Sequence, residues 1–282
     1  MDFRSIITIL KGDVVGHPFH GNQWLTVDGK FNYGGGNDRP VAPKPKLAPA
    51  VSGLGRFIAL KTGEVSKKLG NVVKMGGAFN KGWQKVEMKD GSIAGIKTAF
   101  CAPQYGGEAQ AKNDIQNEIL AAAVGKVLDF PIRDALPVDG HPDQCVSPWI
   151  EGSPVGKGAF NADVSTDDQP EIDKLRFFDQ LVGNADRFSN DGDILNPANI
   201  MRNAADGHLV GIDHAMAFEK NYGRYGGPPD FSLLGNPSQG DINKMFASLT
   251  TLEPVFIAAG RTYAYNNMMD RFRTGFINYV PA

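Results

Sequence analysis

The sequence predicts an α+β fold with a sheet-rich amino lobe and a helical carboxyl lobe. Three observations carry this. Residues 71–100 show short apolar alternations separated by Gly-containing turns, which is a strand pattern. One helical pattern is set among the strand-like runs. From Gly240 onward almost everything has helical spacing. Strands first, one helix between strands and helices last is the order of an α+β chain.

The division expected along the chain is an arm and linker over 1–55, a sheet lobe over 56–152 and a helical lobe over 153–282. The arm reads differently from the rest. "FNYGGGNDRPVAPKPKLAPA" joins a Gly triplet to alternating Pro and Lys, the composition of an extended linker. Upstream lies "GHPFHGNQW" from Gly16 to Trp24. Its His17 and His20 have Pro18 between them and no third ligand nearby, so a turn or docking peptide is the reading. This peptide resembles a short amino-terminal motif of phage and mobile-element proteins.

In the sheet lobe, Val86 and Met88 precede "KDG" and Ile93 and Ile96 follow it, so Asp90-Gly91 predicts a tight hairpin turn. "KNDIQNEILAAAVGKVLDF" predicts a helix with Asp114 in the cap region and Pro131 as the stop. "QCVSPWIEG" predicts a strand closing on Gly152. "EIDKLRFFDQLVG" predicts an amphipathic helix through Ile172, Leu175, Phe178, Leu181 and Val182. The carboxyl-terminal helical region is expected to break at Pro254.

Bulk properties exclude several classes. With 29 basic and 31 acidic residues, nothing favours wrapping nucleic acid. Cys101 and Cys145 are the only cysteines, which rules out a disulfide scaffold or a Cys-rich zinc site. No apolar run approaches the ~20 residues that span a bilayer. "FRSIITIL" is short and lacks a cleavage site, so no signal peptide is expected and the location expected is the cytoplasm. The five histidines are scattered, which gives a His-dependent metal hydrolase little support.

The informative stretch is "GNADRFSNDGDILNPANIM" (Gly183–Met201) followed by "GIDHAMAF" (Gly211–Phe218). Its polar residues stand at fixed places between apolar anchors. Asp186 is expected just past a helix end, Asn199 just before a buried strand, and Asp213 at the end of a strand spanning His208–Ile212. Such oxygen ligands suit a hard cation such as Mg²⁺. Further upstream, Gly76, Gly77 and Gly82 are expected in a hairpin turn whose amides can approach phosphate. Lys97, in "GIKTAF", is set in a strand, and Glu118 lies near the apolar side of the first helix. A buried acid needs a cation, and Lys97 is the expected partner; Glu108 is the weaker candidate for that role. Together these are the parts that phosphoryl transfer uses.

"ADR…NIM…IDHAMAF" resembles the order of motifs in atypical kinases of the phosphatidylinositol 3-/4-kinase superfamily and in the HipA-like protein kinases. "GSIAGIKTAF", "NEILAAAVGKVLDFPI" and "VSPWIEG" resemble their Lys strand, Glu helix and hinge, and the likeness spans roughly residues 70–220. The resemblance implies a two-lobed protein-kinase-like fold and transfer from ATP with Mg²⁺, with protein Ser/Thr as the preferred acceptor. It implies Asp186 as the residue orienting the acceptor, Lys97 and Glu118 as the phosphate-contacting pair, Asn199 and Asp213 as metal ligands, and Trp149 and Ile150 as nucleotide-side hinge residues. Two departures stand. Asp186 and Asn199 are more widely separated than is usual in the family, so "FSNDGDILNPA" must loop out; at the usual spacing Asn190 or Asp191 is the alternative ligand. The glycines also lack a tight signature. The alternatives are a catalytically inactive nucleotide-binding or phage structural module, a lipid or small-molecule kinase, and a nucleotidyl transferase.

Overall fold

Alternating apolar residues on either side of Asp90-Gly91 close a hairpin in the computed structural model, which describes residues 57–70, 80–157, 161–218 and 227–279. Strands β2 (Asn80–Met88) and β3 (Ile93–Ala99) pair antiparallel. The turn is set by Gly91 at φ 80° and by Asp90, whose Oδ1 accepts from the Ser92 amide at 2.9 Å. With β1 (Val65–Lys68), β4 (Leu136–Val138) and β5 (His141–Pro148) they form a five-stranded sheet in the order β1-β2-β3-β5-β4. The predicted strand ending at Gly152 stops earlier, at Pro148, which pairs with Ala94; one last bond, from the Trp149 amide to the Ile93 carbonyl at 3.1 Å, closes the ladder before the chain turns into the next sheet. Gly152 instead opens β6 (Gly152–Pro154), which joins β7 (Ile200–Asn203) and β8 (Leu209–Gly211) in a second sheet.

Helix α1 (Gly107–Leu128) starts five residues before the predicted segment, after Gly106 at φ 109°. Asp114 is therefore not a cap. It lies in the second turn, buried, with Gln110 Nε2 donating to it at 2.7 Å. The helix ends as left-handed Asp129 returns its N–H to the Gly125 and Lys126 carbonyls. Ala121, Val124 and Leu120 from α1 pack with Phe177, Phe178 and Leu181 of α2 (Gln169–Val182) in the main core. Losing one such large side chain costs about 2–5 kcal/mol. The carboxyl-terminal region forms α3 (Gln239–Thr250), α4 (Glu253–Ala258) and α5 (Thr262–Asn278), and Pro254 sits in the first turn of α4. The chain is thus α+β, with an antiparallel sheet lobe ahead of a helical part. Among the described residues no helix is long and apolar enough to cross a membrane. The "GHPFHGNQW" arm, Gly76 and Gly77 lie outside the described residues.

Candidate functional site

Because side chains alternate across a strand, Lys97 shares a face with its direct partners Trp83 on β2 and Cys145 on β5. That face looks onto α1. The Lys97 side chain is 4% exposed, and burying an ammonium requires compensation. Glu118 of α1 supplies one ion pair, and Asp213 Oδ1 supplies another at 2.7 Å. Burial pulls the Lys97 pKa down, but the Asp213 and Glu118 carboxylates outweigh it and hold the ammonium charged. Burial pushes Glu118 up; Lys97 and a hydrogen bond with His214 override it and keep the carboxyl well below its usual range. Glu108, by contrast, is exposed on the first turn and pairs with Lys112, so it does not serve Lys97.

Asp213 follows β8, which ends at Gly211, one residue short of the predicted Ile212. It takes φ 59°, a left-handed conformation that costs a non-glycine residue energy unless its surroundings enforce it. They do. The Arg187 Nη2 donates to the Ile212 carbonyl at 2.9 Å and meets His214 Nε2 at 2.9 Å. The His214 amide donates to Glu118 Oε2 at 2.9 Å. Asp213 is bracketed on both sides.

Arg187 has no exposed surface, and its Nη1 reaches Asp179 Oδ1 on α2 at 2.9 Å. Burial pushes the Asp179 carboxyl up to about 7 against the pull of Arg187. Burial and the Arg187 charge press His214 down to about 4, which keeps it neutral. Its ring meets Phe178 edge-on, so this histidine is packed rather than free to titrate.

Asp186 comes four residues after α2 ends at Val182. Its Oδ2 accepts from Asn196 Nδ2 at 3.2 Å and from Asn199 Nδ2 at 2.5 Å. Burial, then the negative charge of Asp213, raises its pKa above the usual carboxylate value. The intervening segment loops out and returns: Phe188 bridges Ile194, and the Leu195 amide donates to the Arg187 carbonyl. Asn190 and Asp191 sit exposed at its tip, whereas Asn199 lies against Asp186. Asn199 closes the 3-10 turn Pro197–Asn199 beside fully buried Ile200, and its carbonyl accepts from the Ile212 amide at 3.0 Å. That bond ties the Asn199 segment to the Asp213 segment.

Asn199 and Asp213 open onto a cleft of about 390 Å³ walled by Trp83, Trp149, Ile150, Met201 and Ile212, with Arg133 and Glu151 as further polar lining. Gly95 makes its roof possible: a Cβ there would lie 2.8 Å from the Trp83 ring and 3.3 Å from that of Trp149. Gly82 stands inside β2, not in the predicted turn. It occupies a bulge at φ 125°, where the strand needs one residue without a side chain.

The donor set fits a small hard cation. Asn199 spends its Nδ2 on Asp186, which leaves Oδ1 as its acceptor, and the Asp213 carboxylate lines the same cleft. The Asp213 charge raises the cost of ionising Asp186, and a divalent cation would relieve it. Among the described residues no group of three or more His, Cys, Asp or Glu side chains could hold a metal alone. Mg²⁺ accepts such sparse protein ligation when phosphates and water complete its shell.

Sequence reasoning gave no site role to Arg187, Arg133 or Trp83, and read Asp114 only as a cap-region residue. The "ADR" motif contains Arg187, yet no local pattern shows that a guanidinium will be buried under a strand end. Asp114 stands one turn before Glu118 and close enough to feel Lys97 and Asp213; burial pushes its pKa up to about 6. Only its i, i+4 spacing from Glu118 could have suggested that.

No protein-family model matches the chain, and no curated protein matches it. Solved structures similar to it include the Rio2 kinase–ADP/Mg²⁺–phosphoaspartate complex from Chaetomium thermophilum. The match has 11% identity and TM-score 0.41, over 76% of this chain and 73% of that one. Another is the Rv3197–erythromycin complex from Mycobacterium tuberculosis, with 15% identity and TM-score 0.30. That match covers 54% of this chain and 46% of that one. Both likenesses are remote, and the functional reading rests on the geometry of this chain.

Proposed function

We propose that the chain is an ATP- and Mg²⁺-dependent kinase that transfers the γ-phosphoryl group to a hydroxyl, with protein Ser or Thr as the acceptor. One observation carries this: a fully buried lysine is paired to a helix carboxylate and to a second carboxylate that opens into an apolar cleft between the sheet lobe and the helical part. A purely structural ion pair has no reason to include a partner that faces a cleft. The division into an arm (1–55), a sheet lobe (56–152) and a helical lobe (153–282), and a cytoplasmic location, belong to the same reading.

Each residue then has a task. Trp149 and Ile150 flank the base, while Lys97, held by Glu118, meets the phosphate chain. Gly76, Gly77 and Gly82 would approach the phosphates through their backbone amides. Asn199 and Asp213 would hold Mg²⁺, which would supply charge neutralisation for phosphate oxygens. Asp186 orients the acceptor hydroxyl through its Oδ1 and takes the proton as the oxygen bonds to phosphorus. The electrons of the broken P–O bond leave with ADP. The raised pKa of Asp186 makes it a better proton acceptor than an ordinary aspartate.

Mass spectrometry after incubation with ATP and Mg²⁺, alongside Asp213→Ala, tests the proposal. Gain of one phosphate on the chain or an added protein, absent in the variant, supports it. Gain of a nucleotide points to nucleotidyl transfer, and phosphate appearing only on added lipids or small hydroxyl compounds changes the acceptor. No transfer to any acceptor, with the nucleotide still bound, leaves the inactive module.

A further inference from the structure

Of the described residues that line the cleft, Arg133 alone is basic, and the mechanism above does not use it. Lys97 stands behind the cleft, 4% exposed, with Glu118 and Asp213 taking up its charge. Ile132 bridges Gly211 in parallel, and the Arg133 N–H donates to the Gly211 carbonyl at 3.3 Å. Arg133 is thereby fixed to the strand end that leads to Asp213. Its half-buried guanidinium lies over the Trp83 ring, with Cζ 4.4 Å from the centroid, and Trp83 is the cross-strand partner of Lys97. Among the described residues its side chain has neither a hydrogen-bond acceptor nor an ion-pair partner at contact distance. Arg187, Arg202 and Arg261 each meet named acceptors.

Burial pulls the Arg133 pKa down, opposed by the charges of Glu118 and Asp213, the same carboxylates that hold Lys97. Those shared neighbours put the guanidinium at the Lys97 end of the cleft, where the reading above sets the phosphates. An ammonium matched by two carboxylates has little charge left for an anion. The Arg133 fork has no such contact. With one face covered by tryptophan its N–H edge stays open, and its paired donors match two oxygens of a phosphate.

We infer that Arg133 is a phosphate-binding residue of the cleft, its guanidinium fork meeting oxygens of the nucleotide's phosphate chain beside Asp213. This rests on the nucleotide reading above and adds a second cation to Lys97.

Calorimetric titration of the full chain with ADP, adenosine and inorganic tripolyphosphate, in Mg²⁺, tests the inference. The wild type is expected to bind ADP more tightly than adenosine. Arg133→Gln should weaken ADP and tripolyphosphate roughly ten- to hundredfold, the range of hydrogen bonds to a charged group, and leave adenosine unchanged. Arg133→Lys, which keeps the charge without the fork, should recover part of that loss. Unchanged ADP affinity in Arg133→Gln overturns the inference. So does equal weakening of ADP and adenosine, which would put the guanidinium on the base. Should Arg133→Gln not fold, Arg133→Lys decides: weaker ADP with adenosine unchanged supports the inference, and any other pattern overturns it. If the wild type binds neither ADP nor adenosine, the nucleotide reading itself falls; tripolyphosphate binding that is lost in Arg133→Gln would still support the anion site.

Discussion

The buried network behind the cleft, its inner wall, and the polar residues at its mouth are built on opposite terms. On the inner wall Lys97, Glu118, His214, Arg187 and Asp179 form one buried chain of ion pairs and hydrogen bonds, running from strand β3 through α1 to α2. At the mouth Asp186 is half-buried and held by two asparagine amides, with Asp213 beside it only partly covered. The inner wall cannot lose a member without stranding a charge in a dry place. The mouth can, because water replaces what is removed. The same polar residue types therefore serve architecture on one side and chemistry on the other.

The largest expected effect tests the inner wall. Lys97→Ala leaves Glu118 buried without its cation, so it should cost about 3–5 kcal/mol of stability as well as all transfer. Denaturant unfolding that shows wild-type stability would mean the wall is wetter than its burial indicates. Asp186→Ala should show the opposite profile. Turnover should fall by about 10²–10⁴-fold with little change in the unfolding midpoint, since a general base contributes on that scale. A drop in stability matching that of Lys97→Ala would erase the distinction between the two regions.

A pH titration of stability sharpens the contrast. Asp179 is pushed up from 3.8 to about 7 in the folded chain. The folded state then binds more protons than the unfolded one between these values, so stability should decline as pH rises from about 4 to 7. Asp179→Asn should flatten that slope, which urea unfolding at several pH values would reveal. The smallest effect belongs to Glu108→Ala, which removes an exposed i, i+4 pair. It should cost about 0.5 kcal/mol or less and leave turnover unchanged, in contrast to Glu118→Ala.

Element types were readable along the chain wherever apolar spacing was regular. The hairpin at Asp90-Gly91, the helix through Glu118 and the helix ending at Val182 follow from period and turn chemistry alone. Ends were less readable. The glycine-led first turn of α1 and the early stop of β5 at Pro148 depend on what each end packs against. Local spacing also could not show that both ends of the Lys97–Glu118 pair are buried, which is what gives Lys97→Ala its stability cost.

By itself the sequence determined the order of the parts: a lysine in a strand, an acid in the next helix, and three polar residues at the edges of apolar segments. Those follow from residue type and periodicity, which are local properties. Only the tertiary structure decided that Arg187 is buried beneath Asp213, that Asn199 rather than the loop tip meets Asp186, and that Arg133 lies over Trp83. Each depends on contacts across 13 to more than 20 residues of chain, where packing and burial choose the partner and no local pattern encodes it.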